Sequence, residues 1–314
     1  MTDTDNTMRT LRFHAYGESA AVLHMDRTDV PEAGANRIRI AVTAAGLAPA
    51  DWALCRGLFA GELPRGIGID VSGIVDAIGE GITDVAVGDR VLGSADWKSS
   101  PSAGASEFTM MDRWTLAPAG LDLTEAAAMP MAIDTAYWHL SALGLDPNRT
   151  ILIHGAGTTI GFAAVQIALV RGMSVVGTAG ETYAQRLRDL GATVVPYGDG
   201  MVERVRAAND GPIDAVLDTS PVAGALPDLI RIVDGDPSRV LTISDFAGAA
   251  QVGARSTLTE DFGERADALP EFAALAAQGR FSVPIARTFA LEQWREALDI
   301  SLAGQAHGKL LLLP

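Results

Sequence analysis

The sequence predicts an α/β fold, a doubly wound parallel sheet joined to a β-barrel domain, and three observations predict it. Residues 9 to 118 are short β-rich segments separated by Gly, Pro and Asp turns. From Asp122 onward, short apolar runs alternate with helical patterns. Between one such run and a helix stands a glycine-bearing turn, TILIHGAGTTIG, Thr150 to Gly161. Strand–helix alternation points to right-handed crossovers and a parallel sheet covered on both faces.

In the first part, RTLRFHAYG, RIRIAVTAAGL, VSGIVDAIG and DRVLG read as strands of a barrel-type domain. LTEAAAMPMAIDTAYWHLSALG then shows helical spacing, with a capped start at Leu121 to Thr124. The strands expected next are Ile151–His154, Ser174–Thr178, Thr193–Tyr197, Ala215–Asp218 and Val240–Ser244, each short and apolar as a doubly covered sheet requires. Helices are expected over Phe162–Arg171, Tyr183–Leu190, Met201–Ala208 and Ala223–Val233, the first closed by Gly172. A further helix is expected over 264–278. FSVPIARTF, a helix from Leu291 and the final KLLLL then return to the first domain.

A chain of 314 residues, 48% hydrophobic and with 33 glycines, can bury the core of one large or two ordinary domains. Its net charge of −15 argues against a nucleic-acid partner, because phosphate-backbone affinity needs clustered Lys and Arg. No apolar run reaches the roughly 20 residues of a membrane span, and the opening MTDTDNTM is polar and acidic rather than signal-like, so a cytoplasmic protein is expected. The single cysteine, Cys55, excludes an intrachain disulfide and is expected to be an inert, partly buried thiol.

The turn suits a dinucleotide. Backbone N–H groups at a helix start carry roughly half a positive charge and are the natural seat of a pyrophosphate. The spacing departs from GxGxxG: Gly155 and Gly157 are followed by Thr158, Thr159 and Ile160, and the third glycine is Gly161. Alone it is a weak motif.

The surrounding motifs are more specific. AAGLAPADW (44–52), GIDVSGIVDAIGEGI (68–82), VGDRV (87–91), GASEF (104–108), AAAMP and DTAYWHL (126–140), IHGAGTTIGFAAVQIA (153–168), LGATVV (190–195) and GKLLL (308–312) stand in one order. In this the chain resembles the medium-chain dehydrogenase/reductases, specifically their zinc-independent quinone oxidoreductase-like branch. The resemblance covers nearly the whole chain from Met8. It implies a GroES-like catalytic barrel (1–120 and 280–314), a Rossmann dinucleotide-binding domain (121–279), a cofactor cleft between them and often a homodimer.

Zinc-dependent relatives need a Cys before the Asp of the first motif and a Gly-His-Glu in the second. Those places hold Ala48 and Gly68-Ile69-Asp70, and alanine and isoleucine cannot ligate a metal, so no zinc is expected. In the glycine turn the resemblance places Gly155, Ala156, Gly157, Thr158, Thr159, Ile160 and Gly161 at the pyrophosphate, with a Thr hydroxyl to donate to a phosphate oxygen and Gly161 to let the helix lie against the strand. At the end of the second strand Thr178, Ala179 and Gly180 leave room for a 2′-phosphate, and Arg186 is placed one turn on to reach it or to stand on a solvated helix face. Glu181 argues the other way. NADPH is expected, with NADH as the second choice.

The resemblance also places Asp51, Trp52 and Thr135 by the nicotinamide and substrate: Thr135 to hydrogen-bond the cofactor, Trp52 as an apolar or stacking wall. Asp51 stands at the start of the helical ADWALCRG, which favours N-capping or domain bridging over acid catalysis. Ala48 replaces an Asn common in the quinone reductases. Ser244, Asp245 and Phe246 follow the fifth strand, where a parallel sheet's carboxyl edge takes ligands; their backbone is expected at the carboxamide. His154 is expected to bond locally and His139 to sit on a helix surface or in the core. His14, His24 and His307 form no metal-spaced cluster, and Tyr137 packs with Leu140. Asp96-Trp97-Lys98 reads either as the border of a substrate mouth or as a variable surface loop. The expected function is hydride transfer from NADPH to a quinone, enone or other conjugated carbonyl. The alternatives are a metal-free alcohol dehydrogenase and a non-catalytic nucleotide-binding redox sensor or structural protein.

Overall fold

The computed structural model describes residues 6–262 and 267–314 and divides into two units, Met1–Met131 with Leu269–Pro314, and Ala132–Ala268. The second unit carries a six-stranded, all-parallel sheet. Its strands in chain order are Thr150–His154, Ser174–Thr178, Thr193–Val195, Ala215–Asp218, Val240–Thr242 and Arg255–Ser256. In space they run third, second, first, fourth, fifth, sixth, the order of a Rossmann sheet. Both faces are covered, and the strands are correspondingly apolar: Ile151, Leu152, Ile153, Val216 and Leu217 are fully buried.

The helices Thr159–Val170, Glu181–Asp189, Met201–Ala208 and Leu226–Ile232 link these strands. The expected strand Thr193–Tyr197 stops at Val195 because Pro196 follows, and Val240–Ser244 stops at Thr242, whose hydroxyl takes the amides of Ser244 and Asp245. The long helical pattern from Leu123 is two helices, Leu123–Ala126 and Pro130–Leu143, because Pro130 has no amide to continue the first and serves the second as its opening residue. The helix expected over 264–278 is seen as Leu269–Ala277; its first expected residues, 264 to 266, lie outside the described ones.

The first unit is a closed antiparallel barrel. Ile38–Leu47 pairs with Asp70–Ile78, which pairs with Arg90–Ala95, which pairs with Phe108–Leu116, and the last returns to the first with Ile38 opposite Met111. Lys309–Leu313 and Ile285–Ala290 extend it, and Thr7–Phe13 with Leu23–Asp29 and Arg65–Gly66 makes a three-stranded sheet beside it. A parallel Rossmann-like sheet with a GroES-like barrel is the fold the sequence predicts. No helix among the described residues is long and apolar enough to cross a membrane.

A buried ion pair ties the barrel together. Lys309 Nζ reaches Asp70 Oδ2 at 2.6 Å with both side chains nearly inaccessible, and Asp70 Oδ1 accepts from the amide of Met131 at 2.9 Å, in the first turn of the helix Pro130–Leu143. Removing one partner leaves the other charge buried and unpaired, which costs about 3–5 kcal/mol. Lys309→Met is therefore expected to lower the unfolding free energy by about that much. Lys309→Met with Asp70→Asn recovers part of the loss; equal losses in the single and double variants, in denaturant titration, speak against the pair.

Candidate functional site

At the carboxyl edge of the parallel sheet, the chain leaves the strand Thr150–His154 through Gly155, whose φ of +76° suits glycine. A side chain there would also meet the Ser220 amide at 2.8 Å. The Gly155 amide donates to Thr178 Oγ1 at 3.1 Å and that of Ala156 to the Thr178 carbonyl at 2.9 Å, so the turn hangs on the end of the second strand. Gly161 is fixed by proximity: a Cβ at this position would lie 2.3 Å from the Gly155 carbonyl oxygen and 2.6 Å from Thr219 Oγ1. Gly157 is under no such pressure, with Ala179 Cβ and Tyr183 both 3.8 Å from where its Cβ would be.

Thr158 is the N-cap of the helix Thr159–Val170. Its hydroxyl oxygen accepts from the Gly161 amide at 3.0 Å and lies 3.2 Å from Thr219 Oγ1. The oxygen thus caps the helix that follows, a role in addition to the phosphate donation expected of a Thr hydroxyl in this turn. Thr219, which the sequence reading passed over, links the turn to the fourth strand, its Oγ1 reaching the carbonyls of His154 at 2.9 Å and Gly155 at 3.0 Å. The signal was available, since Thr219 follows the strand Ala215–Asp218 that pairs with Thr150–His154. With these bonds made, the amides of Gly157, Thr159 and Ile160 have no partner among the described residues. Three unpaired donors at a helix N-terminus make a seat for an anion.

Around the turn lie the other expected residues of this unit. Thr178 is fully buried, Ala179 nearly so, and Gly180 is exposed as the N-cap of Glu181–Asp189. Arg186 lies on that helix with its guanidinium over the Phe162 ring at 5.0 Å. Ser244 Oγ donates to the Ser220 carbonyl, joining the fifth strand's end to the loop behind Gly155. Asp245 caps Phe246–Val252 through the Gly248 amide at 2.9 Å and holds the Gly224 amide at 3.0 Å, so its carboxylate serves backbone donors. Phe246 is more than a third exposed. Thr135, half-buried on Pro130–Leu143, accepts at its carbonyl from His139 Nδ1 at 2.6 Å. His139 also lies 2.8 Å from Thr257 Oγ1, a buried structural position.

Two buried groups give the edge its electrostatics. His154 Nδ1 lies 2.7 Å from Thr178 Oγ1, and burial pushes its pKa down to about 4, so the ring is neutral at physiological pH. Asp218 accepts from Thr242 Oγ1 at 2.8 Å and from the Ser220 amide at 3.0 Å; burial outweighs these bonds and raises it to about 6.

In the barrel unit, Asp51 is wholly buried in the first turn of the helix Pro49–Cys55. Oδ2 accepts from the Ala48 amide at 2.7 Å, and Oδ1 from those of Gly68 at 2.7 Å and Ile69 at 3.0 Å. Burial raises its pKa to about 6 against these bonds and the nearby Lys309 charge. It ties the helix start to the strand approach. Trp52 is 1% exposed and donates from Nε1 to Ser301 Oγ at 2.8 Å, so its indole is part of the core and not an open wall for a planar substrate. Cys55 is fully buried, beyond the partial burial expected. Among the described residues, no three His, Cys, Asp or Glu side chains gather where a metal could be held.

Thr158→Ala is expected to lower stability by about 1 kcal/mol and Thr158→Gly by only a few tenths, as read in denaturant titrations; equal losses argue against the capping role. A second expectation concerns pH. The unfolded His154 titrates near 6.5 and the folded one near 4, so the unfolded chain binds more protons between these values and stability contributed by the neutral ring is lost as pH falls through that window. Asp51 and Asp218, both raised, act in the opposite sense, so only a comparison with a variant isolates the histidine. On going from pH 7 to pH 4 the wild type is expected to lose up to about 3 kcal/mol relative to His154→Gln. Parallel stability profiles for the two proteins exclude it.

Comparison with known proteins agrees with this architecture. Residues 34–128 match the alcohol dehydrogenase GroES-like domain and residues 190–312 the zinc-binding dehydrogenase family. A quinone oxidoreductase of Lama guanicoe is 26% identical over 98% of this chain and 97% of its own length. The quinone oxidoreductase of Coxiella burnetii superposes with a TM-score of 0.79 at 26% identity, over 98% of this chain and 99% of its own. A mycobacterial protein complexed with NADPH does so with a TM-score of 0.80 at 22% identity, over 98% and 100%. With two family models covering the barrel and the later half of the chain, and with full-length quinone oxidoreductase relatives, the chain belongs to the medium-chain dehydrogenase/reductase superfamily of NAD(P)H-dependent oxidoreductases.

Proposed function

We propose that the protein is an NADPH-dependent, zinc-independent reductase that passes hydride to a quinone, enone or other conjugated carbonyl. The observation that carries this reading is the turn at the sheet's edge, with the unpaired amides of Gly157, Thr159 and Ile160 at a helix start and no side chain at Gly155 or Gly161. Such a cradle fits a pyrophosphate. The fold is shared with the mycobacterial protein complexed with NADPH, and the relatives named quinone oxidoreductase supply the acceptor class.

Bound reduced nicotinamide supplies the hydride, and a conjugated acceptor spreads the resulting charge. The protein's part is binding and orientation. Gly155 to Gly161 seat the pyrophosphate. Thr178, Ala179 and Gly180 leave space at the ribose, where Arg186 favours the 2′-phosphate and Glu181 opposes it. Thr135 bonds the nicotinamide, and Ser244 to Phe246 offer backbone to the carboxamide. Asp51 holds the loop at Gly68 and Ile69 in place of acid catalysis, because three backbone donors already occupy its carboxylate. Zinc independence rests on Ala48 and Ile69, which offer no ligand where the zinc-dependent relatives need one. We place the protein in the cytoplasm, acting on a small molecule as a homodimer.

Fluorescence titration with NADPH and NADH, followed by absorbance of the reduced cofactor against quinone, enone and aldehyde panels with and without a chelator, tests the reading. The expected result is tighter NADPH binding and chelator-insensitive turnover on quinones or enones. Tighter NADH reverses the cofactor preference, activity lost to the chelator removes zinc independence, turnover on aldehydes alone points to alcohol–aldehyde chemistry, and binding with no turnover leaves a nucleotide-binding sensor.

A further inference from the structure

Several arginines of the barrel unit face carboxylates: Arg9 with Glu107, Arg12 with Asp26, Arg37 with Asp96 and Arg39 with Asp76. Arg65 does not. It is 2% exposed, its Nη1 donates to the Phe59 carbonyl at 2.7 Å and its Nη2 to the Trp97 carbonyl at 3.3 Å, and its Nε is buried with no hydrogen-bond partner among the described residues. The nearby acids are spent or turned outward: Asp96 is held by Arg37, and Glu62 is exposed, with no ion pair to Arg65 among the described residues. A guanidinium keeps its proton at any ordinary pH, and buried charges are paired as a rule. A buried cation with an orphaned donor and no counter-charge is the signature of a group waiting for an anion.

Its surroundings specify what kind of anion. The guanidinium stands 5.8 Å from the Trp97 ring centre and Lys98 Nζ 5.0 Å from the same ring, so two cations flank one indole in a chain of net charge −15. The Phe59 ring lies 5.8 Å from Trp97. Phe59 is 66% exposed and holds a left-handed φ of 51°, conspicuous for a large aromatic side chain. Gly61 lies against the guanidinium with space beside it: a Cβ built there would lie 3.8 Å from Arg65 Nη1 and, its chain neighbours aside, meet no other residue within 4 Å. The Tyr16 hydroxyl also lies within hydrogen-bonding reach of Arg65. Tyr16 Oη clips that glycine, donating to its carbonyl at 2.8 Å and accepting from its amide at 2.7 Å.

We propose that Arg65, Phe59 and Trp97 form an acceptor subsite for a planar conjugated carbonyl compound bearing a carboxylate, the acid pairing with the guanidinium and the π-system lying on the two rings. Naming the ligand as a hydride acceptor rests on the reductase reading above; the site's preference for a planar acid does not. Charge-assisted pairing to Arg is the strong, geometrically selective contact, and the rings add stacking area.

Trans-cinnamate and its methyl ester are planar probes that differ in this charge and one methyl group, and they are titrated into the full-length protein by tryptophan fluorescence and calorimetry. Saturable cinnamate binding at least tenfold tighter than the ester is expected, weakening with salt. Arg65→Met is expected to lose tenfold or more of the affinity for cinnamate and little of that for the ester, while Phe59→Ala weakens both. Cooperative melting and NADPH affinity report whether each variant has folded. Should Arg65→Met fail to fold, the acid–ester comparison on the unaltered chain and Phe59→Ala still decide. Equal binding of acid and ester, no saturable cinnamate binding, or unchanged cinnamate affinity in folded Arg65→Met overturns the subsite. Cinnamate selectivity in a protein that neither binds nor oxidises NADPH upholds the subsite and removes the reductase reading; NADPH turnover without cinnamate selectivity does the reverse.

Discussion

The sheet-bearing unit depends on how closely one helix approaches one strand. Thr159–Val170 starts so near the end of Thr150–His154 that no atom beyond hydrogen fits on Gly161. That proximity brings the helix's first amides to the sheet's carboxyl edge, and it leaves Thr219 room to bridge the two carbonyls before the turn. Thr158 and Thr159 fit in the turn because the tight contacts fall at 155 and 161. Thr158 even returns something for its bulk, since its hydroxyl satisfies one of the four amides that a helix start leaves open.

The barrel unit is organised by charges placed where charges are costly. Asp51 fastens a helix start to Gly68 and Ile69, and Asp70 with Lys309 joins the two strands on either side of Ile38–Leu47 while holding the helix start at Met131. These acids flank the positions where zinc-dependent relatives carry ligands. Here the same carboxylates are engaged with backbone amides and a lysine, which gives them structural employment that needs no metal. Each is held by several donors, and that is what makes its burial tolerable.

Much of this was legible in the residues. Met201–Ala208 was read with its observed bounds because its apolar face has a clear helical period, and the five longer parallel strands announced themselves as apolar runs between helices. Arg255–Ser256 did not, since two residues carry no periodicity, and Leu23–Asp29 is too polar to show as a strand until Thr7–Phe13 pairs with it. Pro130 could have been read as a break and was hidden by the apolar alanines around it. In the site, the glycines were legible because backbone geometry depends on the absence of a side chain. The hydroxyl of Thr158 was not: whether it faces a ligand or its own helix is decided by a χ1 angle and by Thr219, sixty-one positions away. Trp52 was misplaced for a similar reason, because its neighbour in the core, Ser301, comes from the other end of the chain.

Cys55 acquires a meaning from the proposed function that its packing alone does not suggest. Quinones and enones are soft electrophiles that alkylate thiolates. The protein's single thiol is fully buried in the barrel core, and burial pushes its pKa up to about 11, so almost none of it is thiolate at neutral pH. A thiol held in that state is a poor target for such electrophiles, which is the condition a reductase of the proposed kind needs if its acceptors are not to arylate its one cysteine.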